Sequence, residues 1–454
     1  MKFIRPTEIL DTGGSFSRAS VANYFNNLGV LTQAAINQPR INFNPDTLEL
    51  EGVLLETSST NLLLNSSSLS TQTLSLTAQA YTLSFYGSGI ITISGGHSYV
   101  VIGLGVNKRV SYTFTPTVGT CTFSVSGTAT YAQLETGNIS TSYITTTSSP
   151  ASRSADICTG AGLIYSNILE NDHPQWNSSN SYSNGDRVIR TTTHSIYEKV
   201  AGTAVNSSLP ENVPNEWARV GPTNKYALFD ESPSTLTTNT DIITLIIKPG
   251  RVNSLALLEL EAVEVSVNLY AGGSRQFSGY TDLLNNNTVG NWYQYFYEPF
   301  YYQTSLALTD LVNAALLDLP IYSDSILTVT IRKPSGIAKV GALITGINYE
   351  LGKTQQGMSI SIADYSKKEP DDYGNITLVR RKFSKKVRGT FFLYSNKVDA
   401  VVNLLTQYRA TPVVWIGIDS NYSSLVVYGF YRDWEINIPN NIGSICSIDI
   451  EGLA

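Results

Sequence analysis

The sequence is poor in the residues that disulfides, metal sites and acid–base catalysis require. It has three cysteines and three histidines among 454 residues. Because Cys121, Cys158 and Cys446 are scattered and odd in number, they predict neither a disulfide framework nor a metal-binding spacing. Three histidines leave little capacity for acid–base chemistry near neutral pH. We therefore expect no metal and no cofactor.

Catalytic motifs, charge and long apolar runs are also scarce. The sequence has no glycine-rich phosphate loop, no serine nucleophile elbow and no HExxH metal motif, so we expect no catalytic residue. Charged residues make up 15% of the chain, against about 25% in an average soluble protein. The net charge of −6 argues against a nucleic-acid partner. No window approaches the roughly 20 apolar residues of a membrane span, and the first residues lack a signal peptide's apolar run.

Alternating apolar and polar residues predict a mainly β, multidomain chain that opens with a β-sandwich over residues 1–158. Its clearest strand patterns lie at 80–87, 90–94, 110–115 and 121–126. The Ser88-Gly89 turn predicts that the first two of these strands form a hairpin. Inward-facing side chains then supply the core, namely Tyr112, Phe114, Phe123 and Val125. A β-branched run from 139 to 147 predicts a last strand, which Pro150 stops.

Four separated motifs mark residues 15–158. They are Phe16-Ser17-Arg18-Ala19-Ser20, Tyr24-Phe25 with Gly29-Val30-Leu31, an E-x-x-x-TN-LL step from Glu56 to Leu63, and a QLE-x-G…TSYI…R-x-AD ending over 133–156. In this order they resemble the lectin-like cassette of many tailed-bacteriophage structural proteins. The resemblance implies a lectin-like β-sandwich in a virion tail protein that is made in the host cytoplasm. It also implies contact with host cell-surface glycan.

Residues 171–222 predict a small module with large aromatic residues at the spacing W-x5-Y-x2-GD-x-V…Y…P…W. The spacing resembles the small carbohydrate-binding modules of chitinases and phage tail proteins. About fifty residues cannot build a large core, so we favour a core role for these aromatic side chains. Stacking on sugar rings is the alternative, with four candidate carbohydrate-binding residues: Trp176, Tyr182, Tyr197 and Trp217.

Residues 223–345 predict a second β-sandwich. Their aromatic run at 291–302 is the densest in the chain, and it contains Trp292 and Tyr295 as further candidates for carbohydrate binding. Burial between two layers and a subunit contact are the other interpretations of this run. An amphipathic stretch at 306–318 predicts a helix or a turn.

Residues 346–454 predict an α+β domain for tail attachment. Asn396 is the predicted N-cap of a helix over 398–408, which ends before Pro412. The sequence YRATPVVWIG…VVYGFYRDWEI…CSIDIEGL resembles the C-terminal part of phage virion proteins that carry the same cassette. A cationic cluster upstream indicates a solvated or intersubunit face, and nucleic-acid contact is the alternative. We expect it to form an assembly interface that pairs with the acidic run 369–372 of a neighbouring copy. Its members are Arg380, Arg381, Lys382, Lys385, Lys386 and Arg388.

Together these patterns predict a non-enzymatic structural protein of the phage tail tip or baseplate. We expect glycan contact through the lectin-like modules and attachment through the C-terminal domain. The expected partners are other tail or baseplate proteins, host glycan and further copies of the chain, as a trimer or hexamer. Two alternatives stay open: a purely architectural hub, and a polysaccharide-degrading tail spike. Paired carboxylates such as Glu259 with Glu261, and Asp449 with Glu451, keep the spike open.

Overall fold

The computed structural model describes residues 1–9, 13–202, 208–230, 232–283, 312–370, 376–418, 423–438 and 443–453. These residues form several β-sheets and one short α-helix, so the mainly β, multidomain fold class is confirmed. Short 3-10 helices lie at Pro210–Asn212, Ala227–Phe229, Ser395–Lys397 and Ser423–Leu425. No helix in the described ranges has the length and apolar character to cross a membrane.

The first region contains a sandwich of two antiparallel sheets. One sheet has the order β11 (Tyr99–Ile102), β10 (Ile90–Gly95), β13 (Gly119–Ser126), β8 (Gln72–Leu76), and the other β12 (Gly105–Phe114), β9 (Tyr81–Gly87), β14 (Thr130–Thr136). The predicted core positions Phe114 and Phe123 are buried, while Tyr112 and Val125 are partly buried against the same cluster. The predicted hairpin is wrong, because β9 and β10 lie in different sheets. The Ser88-Gly89 turn carries the chain between the sheets.

Four strand pairs lie beside this sandwich. They are β2 (Ser15–Ser17) with β16 (Ile157–Thr159), β3 (Ala22–Phe25) with β4 (Leu31–Ala34), β5 (Arg40–Phe43) with β6 (Leu50–Leu54), and β7 (Ser59–Asn61) with β15 (Ala151–Arg153). The strand predicted over 139–147 is absent from this described segment. Residues 137–150 instead form a loop that buries Tyr143, Ile144 and Thr146. Side chains of β14 and of Glu56, which lies between β6 and β7, bind its backbone, so it needs no strand partner.

The small module is a three-stranded sheet of β18 (Arg187–Arg190), β19 (Ser195–Lys199) and β20 (Trp217–Pro222). Its single core cluster contains Tyr182, Val188, Tyr197 and Trp217, with Trp176 and Val213 at its margin. The favoured core role of these aromatic residues therefore agrees with their packing.

The third region is built on a five-stranded antiparallel sheet. Its order is β17 (Gly162–Ser166), β21 (Thr237–Lys248), β26 (Ile326–Val340), β23 (Glu264–Ala271), β24 (Ser274–Asp282). The sheet packs through Leu245 and Val329 on Leu257 and Leu343 of the adjacent ten-stranded sheet. The stretch predicted as a helix or turn at 306–318 contains, in its described part, the strand β25 (Val312–Leu316) instead.

The ten-stranded sheet joins distant parts of the chain. Its path is β25, β22 (Ser254–Leu260), β27 (Ala342–Glu350), β1 (Lys2–Thr7), β33 (Val413–Ile416), β34 (Val426–Asn437), β35 (Gly443–Gly452), β32 (Phe383–Tyr394), β28 (Lys353–Thr354), with β29 (Ser359–Asp364) also on β32. The domain boundaries stay predictions, but strand pairing crosses them: β1 lies between β27 and β33. Such long-range pairing leaves no mark in local alternation, so the sequence did not indicate it.

The helix α1 (Val398–Gln407) packs on the part of this sheet that contains β1 and β32 to β35. Val401 and Leu405 pack on Phe3 and Trp415. The predicted N-cap is wrong, because Asn396 lies within a preceding 3-10 helix. Lys397 occupies the N-cap position instead, and its side chain makes no capping hydrogen bond. Outside the sheets given above, β30 (Lys367–Pro370) and β31 (Ile376–Val379) pair only with each other among the described strands.

Candidate functional site

A cleft of about 720 Å³ lies between the first region and the third. Its walls include the strands β3 and β6, the segment 54–59, the loop segment 136–143, the side chains of Tyr86 and Arg109, and residues 273–275 where β23 connects to β24. The lining combines hydroxyl, amide and charged groups with the rings of Tyr24, Phe25 and Tyr86. Concave sites with a few polar groups set among apolar surface are typical of ligand-binding sites.

One wall of the cleft is fixed because β6 lies directly on the five-stranded sheet. The Tyr270 hydroxyl donates a hydrogen bond to the Val53 carbonyl at 2.7 Å, and Asn268 Nδ2 donates to the Glu51 carbonyl at 2.8 Å. Between them Gly52 has a φ of +91°, and a Cβ there would stand 2.5 Å from Asn268 Nδ2. Glycine is therefore required at this close approach.

Behind the cleft is a buried ionic cluster, the polar centre, formed by Arg18, Arg40, Glu56, Arg153 and Asp156. The side chain of Asp156 is fully buried and binds Arg18 at 3.1 Å and Arg40 at 2.6 Å. It also accepts the backbone N–H of Glu56 at 2.9 Å. Glu56 in turn binds Arg40 at 2.8 Å and Arg153 at 3.5 Å. Each buried charge thus has an opposite partner, as burial of ions requires.

The polar centre extends to the loop that lines the cleft. Glu56 accepts hydrogen bonds from the Ser142 backbone N–H at 2.7 Å and from its hydroxyl at 2.6 Å. Glu135 accepts the Thr141 N–H at 2.9 Å and the Ser59 hydroxyl at 2.6 Å. Gln133 Oε1 accepts the Ile144 N–H at 2.6 Å, which anchors the loop at a third point. Acceptors on β14 and on the segment between β6 and β7 therefore replace the ladder that a strand would have provided.

The sequence motifs of the first region meet at this network. Arg18 comes from the opening motif, Glu56 from the second step, and Glu135, Arg153 and Asp156 from the ending. Asn61 of the E-x-x-x-TN-LL motif belongs to the same network, since its Nδ2 donates to the carbonyls of residues 132 and 144. These residues, far apart in sequence, thus form one continuous network that fixes the cleft wall.

The charges of the polar centre hold Glu56 ionised. Burial alone would raise the pKa of Glu56, but the ion pairs with Arg40 and Arg153 and the hydrogen bonds from Ser142 outweigh it and lower the pKa to about 2. A general acid for glycoside cleavage must hold its proton near neutral pH. Glu56 does not meet that requirement.

The groups exposed to the cleft suit the binding of hydroxylated molecules. Glu51 is half-buried, and one of its carboxylate oxygens accepts a hydrogen bond from Asn42 Nδ2 at 2.6 Å. Arg109 donates to the Thr141 carbonyl at 2.6 Å and to Ser84 Oγ at 2.7 Å. These planar polar groups are held in place before any ligand arrives, which lowers the entropic cost of binding.

The sequence patterns did not single out Arg40, Asn42, Glu51 or Arg109 as site residues. All four lie on strands: β5, β6 and β12. The available signal is only a charged or amide side chain within a strand pattern, such as Arg40 and Asn42 in Arg-Ile-Asn-Phe. Such a pattern does not show which distant strand supplies the partner.

Three of the four candidate sugar-binding residues in the small module are buried. Tyr182, Tyr197 and Trp217 pack together, and the rings of Tyr182 and Trp217 meet edge to face at 5.2 Å. A buried ring offers no face to a sugar. Trp176 is half-buried, with the Arg190 guanidinium 5.3 Å from its ring centroid. The candidates Trp292 and Tyr295 lie outside the described residues.

The predicted assembly residues lie on a ribbon of two antiparallel arms. One arm contains β29 and β30, and the other contains β31 and the first half of β32. Arg380, Arg381 and Lys382 are exposed there. Lys382 Nζ donates a hydrogen bond to Ser234 Oγ at 2.7 Å. Three cations of the cluster have carboxylate partners in the same chain: Lys385 with Glu259 at 3.2 Å, Lys386 with Glu451 at 4.0 Å, and Arg388 with Asp449 at 2.7 Å. Asp371 and Asp372 of the predicted acidic run lie outside the described residues.

The carboxylate pairs that kept a hydrolase open are also engaged in ion pairs. Glu261 binds Lys333 and also Lys339, the latter at 2.8 Å. Burial raises the pKa of Glu261, but the hydrogen bonds from these two lysines lower it overall. Across the described ranges, no group of three or more metal-ligating side chains is close enough to hold an ion.

Comparisons with known proteins add little. No protein-family profile and no curated protein matches the chain. One solved structure that aligns with it is an f-lectin (fucolectin) from striped bass (Morone saxatilis) serum, at 8% identity and a TM-score of 0.17. The alignment covers 73% of this chain and 95% of the fucolectin chain. At that TM-score the likeness supports no statement about the fold or function of this chain.

Proposed function

We propose that the protein is a non-enzymatic carbohydrate-binding component of a tailed-phage virion, and that the cleft beside the polar centre holds the glycan. One observation carries this proposal: the motifs that resemble the phage lectin-like cassette build the network behind the cleft wall. In such a protein, host-surface glycan would be the ligand and other tail or baseplate proteins the neighbours.

The carboxylates support binding without cleavage. Glu56 lines the cleft, but its pKa of about 2 makes it unsuitable as a general acid. Glu259, Glu261, Asp449 and Glu451 are each bound by lysine or arginine side chains, and none of them lines this cleft. Glycoside hydrolysis needs one carboxyl group with a raised pKa beside a second carboxylate.

The test is retention on immobilised host-surface polysaccharide, with the full-length protein and its Glu51→Gln variant. A hydrogen bond to a charged group contributes roughly 1.5–3 kcal/mol, so the variant is expected to bind about 10- to 100-fold more weakly. Glu49→Gln is the matched control, because Glu49 is exposed on the same β-hairpin and outside the cleft lining.

Three results would overturn this function. Equal retention of the Glu51→Gln and Glu49→Gln variants would place the glycan elsewhere. Time-dependent shortening of the polysaccharide would instead support the tail-spike alternative. Absence of any retention would leave the architectural hub.

The same proposal includes assembly of several copies through the ribbon. An isolated two-stranded hairpin is marginally stable in water, yet this ribbon exposes apolar side chains along its length. They are Ile360, Ile362, Tyr365, Leu378 and Phe383. Their cover by a neighbouring copy, with Arg380, Arg381 and Lys382 at the contact, would stabilise the ribbon.

Charge reversal tests the assembly. Replacing Arg380, Arg381 and Lys382 by Glu is expected to reduce the oligomer to monomers in light scattering and to stop incorporation into particles. The control replaces three exposed cations elsewhere by Glu: Lys108, Arg251 and Lys353. If both triple variants enter particles in normal amounts, the ribbon is not the attachment surface.

A further inference from the structure

We infer that the cleft selects acidic saccharides, in which sugar units carry a carboxylate or phosphate group. This inference rests on the proposed glycan function and adds the ligand's charge to it. It starts from four charged residues that line the cleft: Glu51, Glu56, Arg109 and Arg275.

The carboxylates of the cleft are largely compensated. Glu56 is bound by Arg40 and Arg153 behind the wall, so its charge is balanced from the protein side. Glu51 has no ion-pair partner among the described residues, but one of its oxygens is occupied by the Asn42 amide. One carboxylate therefore remains to meet a ligand.

The arginines of the cleft are not compensated. Within the described chain, neither Arg109 nor Arg275 has a carboxylate at ion-pairing distance. Arg109 binds two neutral acceptors, the Thr141 carbonyl and Ser84 Oγ, and its buried Nε has no hydrogen-bond partner. Arg275 is exposed at the mouth. Apart from the polar centre, the cleft thus carries two cations against one anion, on a chain whose net charge is −6.

The two arginines approach the cleft from different walls. Arg109 lies on β12 of the first region, and Arg275 lies on β24 of the third. The half-buried Arg109 is pinned by its hydrogen bonds, whereas the exposed Arg275 is free to adjust. A guanidinium presents parallel N–H donors that fit a carboxylate or a phosphate in a bidentate manner. Glu51 and the amide and hydroxyl groups would then take the sugar hydroxyls.

The experiment uses a panel of matched oligosaccharide pairs and the full-length protein. Uronate oligosaccharides are compared with their carboxyl-reduced forms, and phosphorylated oligosaccharides with their dephosphorylated forms. We expect at least tenfold tighter binding of one acidic class than of its neutral match. The advantage should shrink as salt rises from 50 to 200 mM, because added ions screen the charges. The class that is retained identifies the acidic group.

Arg275→Gln is the decisive variant, with Arg251→Gln as a control at an exposed arginine outside the cleft. Arg275→Gln is expected to weaken binding of the acidic forms several-fold more than binding of their neutral matches, which removes most of the acidic preference. Equal binding of acidic and neutral forms, or an unchanged preference in Arg275→Gln, would overturn this inference. The glycan function would survive that outcome as long as Glu51→Gln still weakens binding. Loss of all binding across the panel would overturn both.

Discussion

The polar centre of the first region and the aromatic core of the small module both hold short strands together where little apolar surface is available, the first by buried ion pairs and the second by ring packing. The polar centre uses three arginines and two carboxylates from positions 18 to 156. The aromatic core, formed by Tyr182, Val188, Tyr197 and Trp217, uses ring packing within about forty residues of chain.

The difference lies in what each arrangement can specify. Ring packing is tolerant of small shifts, and it stabilises mainly through the apolar area it buries. Paired ions and hydrogen bonds fix distances and directions, and a missing partner leaves a buried charge without compensation. The polar centre is therefore suited to fixing the loop 137–150 at the cleft, whereas the aromatic core is suited only to holding its module folded.

The largest expected effect is the loss of Asp156. Asp156→Asn keeps the shape of the side chain but leaves the buried Arg18 and Arg40 short of a counter-charge. We expect a loss of roughly 3–5 kcal/mol in the free energy of unfolding, measured by urea denaturation of the full chain. Asp46→Asn is the control, because Asp46 and Lys108 form an exposed pair, for which about 0–1 kcal/mol is expected.

A second readout tests what the polar centre specifies. In Asp156→Asn, hydrogen exchange should rise at the amides of Thr141 and Ser142, whose acceptors are Glu135 and Glu56. Strong destabilisation with unchanged protection of these amides would show that the centre stabilises the fold without fixing the loop. The proposed contrast with the aromatic core would then be wrong.

The next effect is expected from Trp217, which is 1% exposed at the centre of the module. Trp217→Ala should destabilise the module by roughly 3–5 kcal/mol, because it removes a large buried ring and leaves a cavity. Trp176→Ala is the matched change at a half-buried ring, and it should cost clearly less. Limited proteolysis of the full chain should show cleavage confined to residues 171–222 for Trp217→Ala.

Two outcomes of the Trp217→Ala and Trp176→Ala experiments would change the comparison between the aromatic core and the polar centre. If Trp217→Ala also unfolds the first region, the module is not energetically independent. If Trp176→Ala abolishes glycan retention while the module stays protease-resistant, sugar binding by the module replaces the core interpretation for that residue.

The sequence predicted the two regions unequally, for a physical reason. In the module the spacing of Trp176, Tyr182 and Trp217 was sufficient to predict that aromatic rings form the core, because so short a segment has few other apolar side chains to bury. The alternation at β9 and β10 correctly predicted two strands but wrongly predicted their pairing. Alternation shows which face of a strand is buried and not which strand lies beside it.

The site was less predictable than the fold. The motif resemblance marked Arg18, Glu56 and Asp156 as characteristic residues, but it did not show that they meet behind a cleft. The run 139–147 is β-branched and favours a strand, yet Glu56 and Glu135 supply acceptors that hold it as a loop. A contact between residues 86 positions apart is decided by tertiary structure, which overrides local propensity here.

A third expected effect is acid sensitivity from Glu56. Its pKa is about 2 in the folded protein, against an ordinary value of 4.5. The folded state therefore favours the ionised form. This stabilisation is complete above about pH 4.5 and is lost as the pH falls towards 2. A shift of this size corresponds to roughly 3 kcal/mol at most.

Unfolding free energies between pH 6 and pH 2 check this expectation. Glu56→Gln should be less stable than the parent at pH 6, and the gap between the two proteins should narrow as the pH falls. A gap that stays constant down to pH 2 would show that the ion pairs of Glu56 with Arg40 and Arg153 do not favour its ionised form.

The smallest effect is expected from Lys199, the one buried cation in the described part of the module. Its ammonium lies 5.1 Å from the Trp217 ring centroid and 2.7 Å from Glu216. Glu216 is one-third exposed, so water can solvate its carboxylate when the lysine is lost. Lys199→Met keeps the aliphatic stem on the ring and is expected to change the unfolding free energy by about 1 kcal/mol or less, in either direction.

The matched change in the polar centre is Arg40→Met, which removes the closer of the two arginines that Asp156 and Glu56 share. Removing one member of a buried ionic cluster is expected to cost about 3–5 kcal/mol, several times the effect at Lys199. Urea denaturation of both variants, with limited proteolysis to assign each change to its region, makes the comparison. Similar losses in the two variants would show that the module depends on its buried charge as the first region does. A small loss at Lys199 beside a large one at Arg40 is the result expected if ring packing alone holds the module.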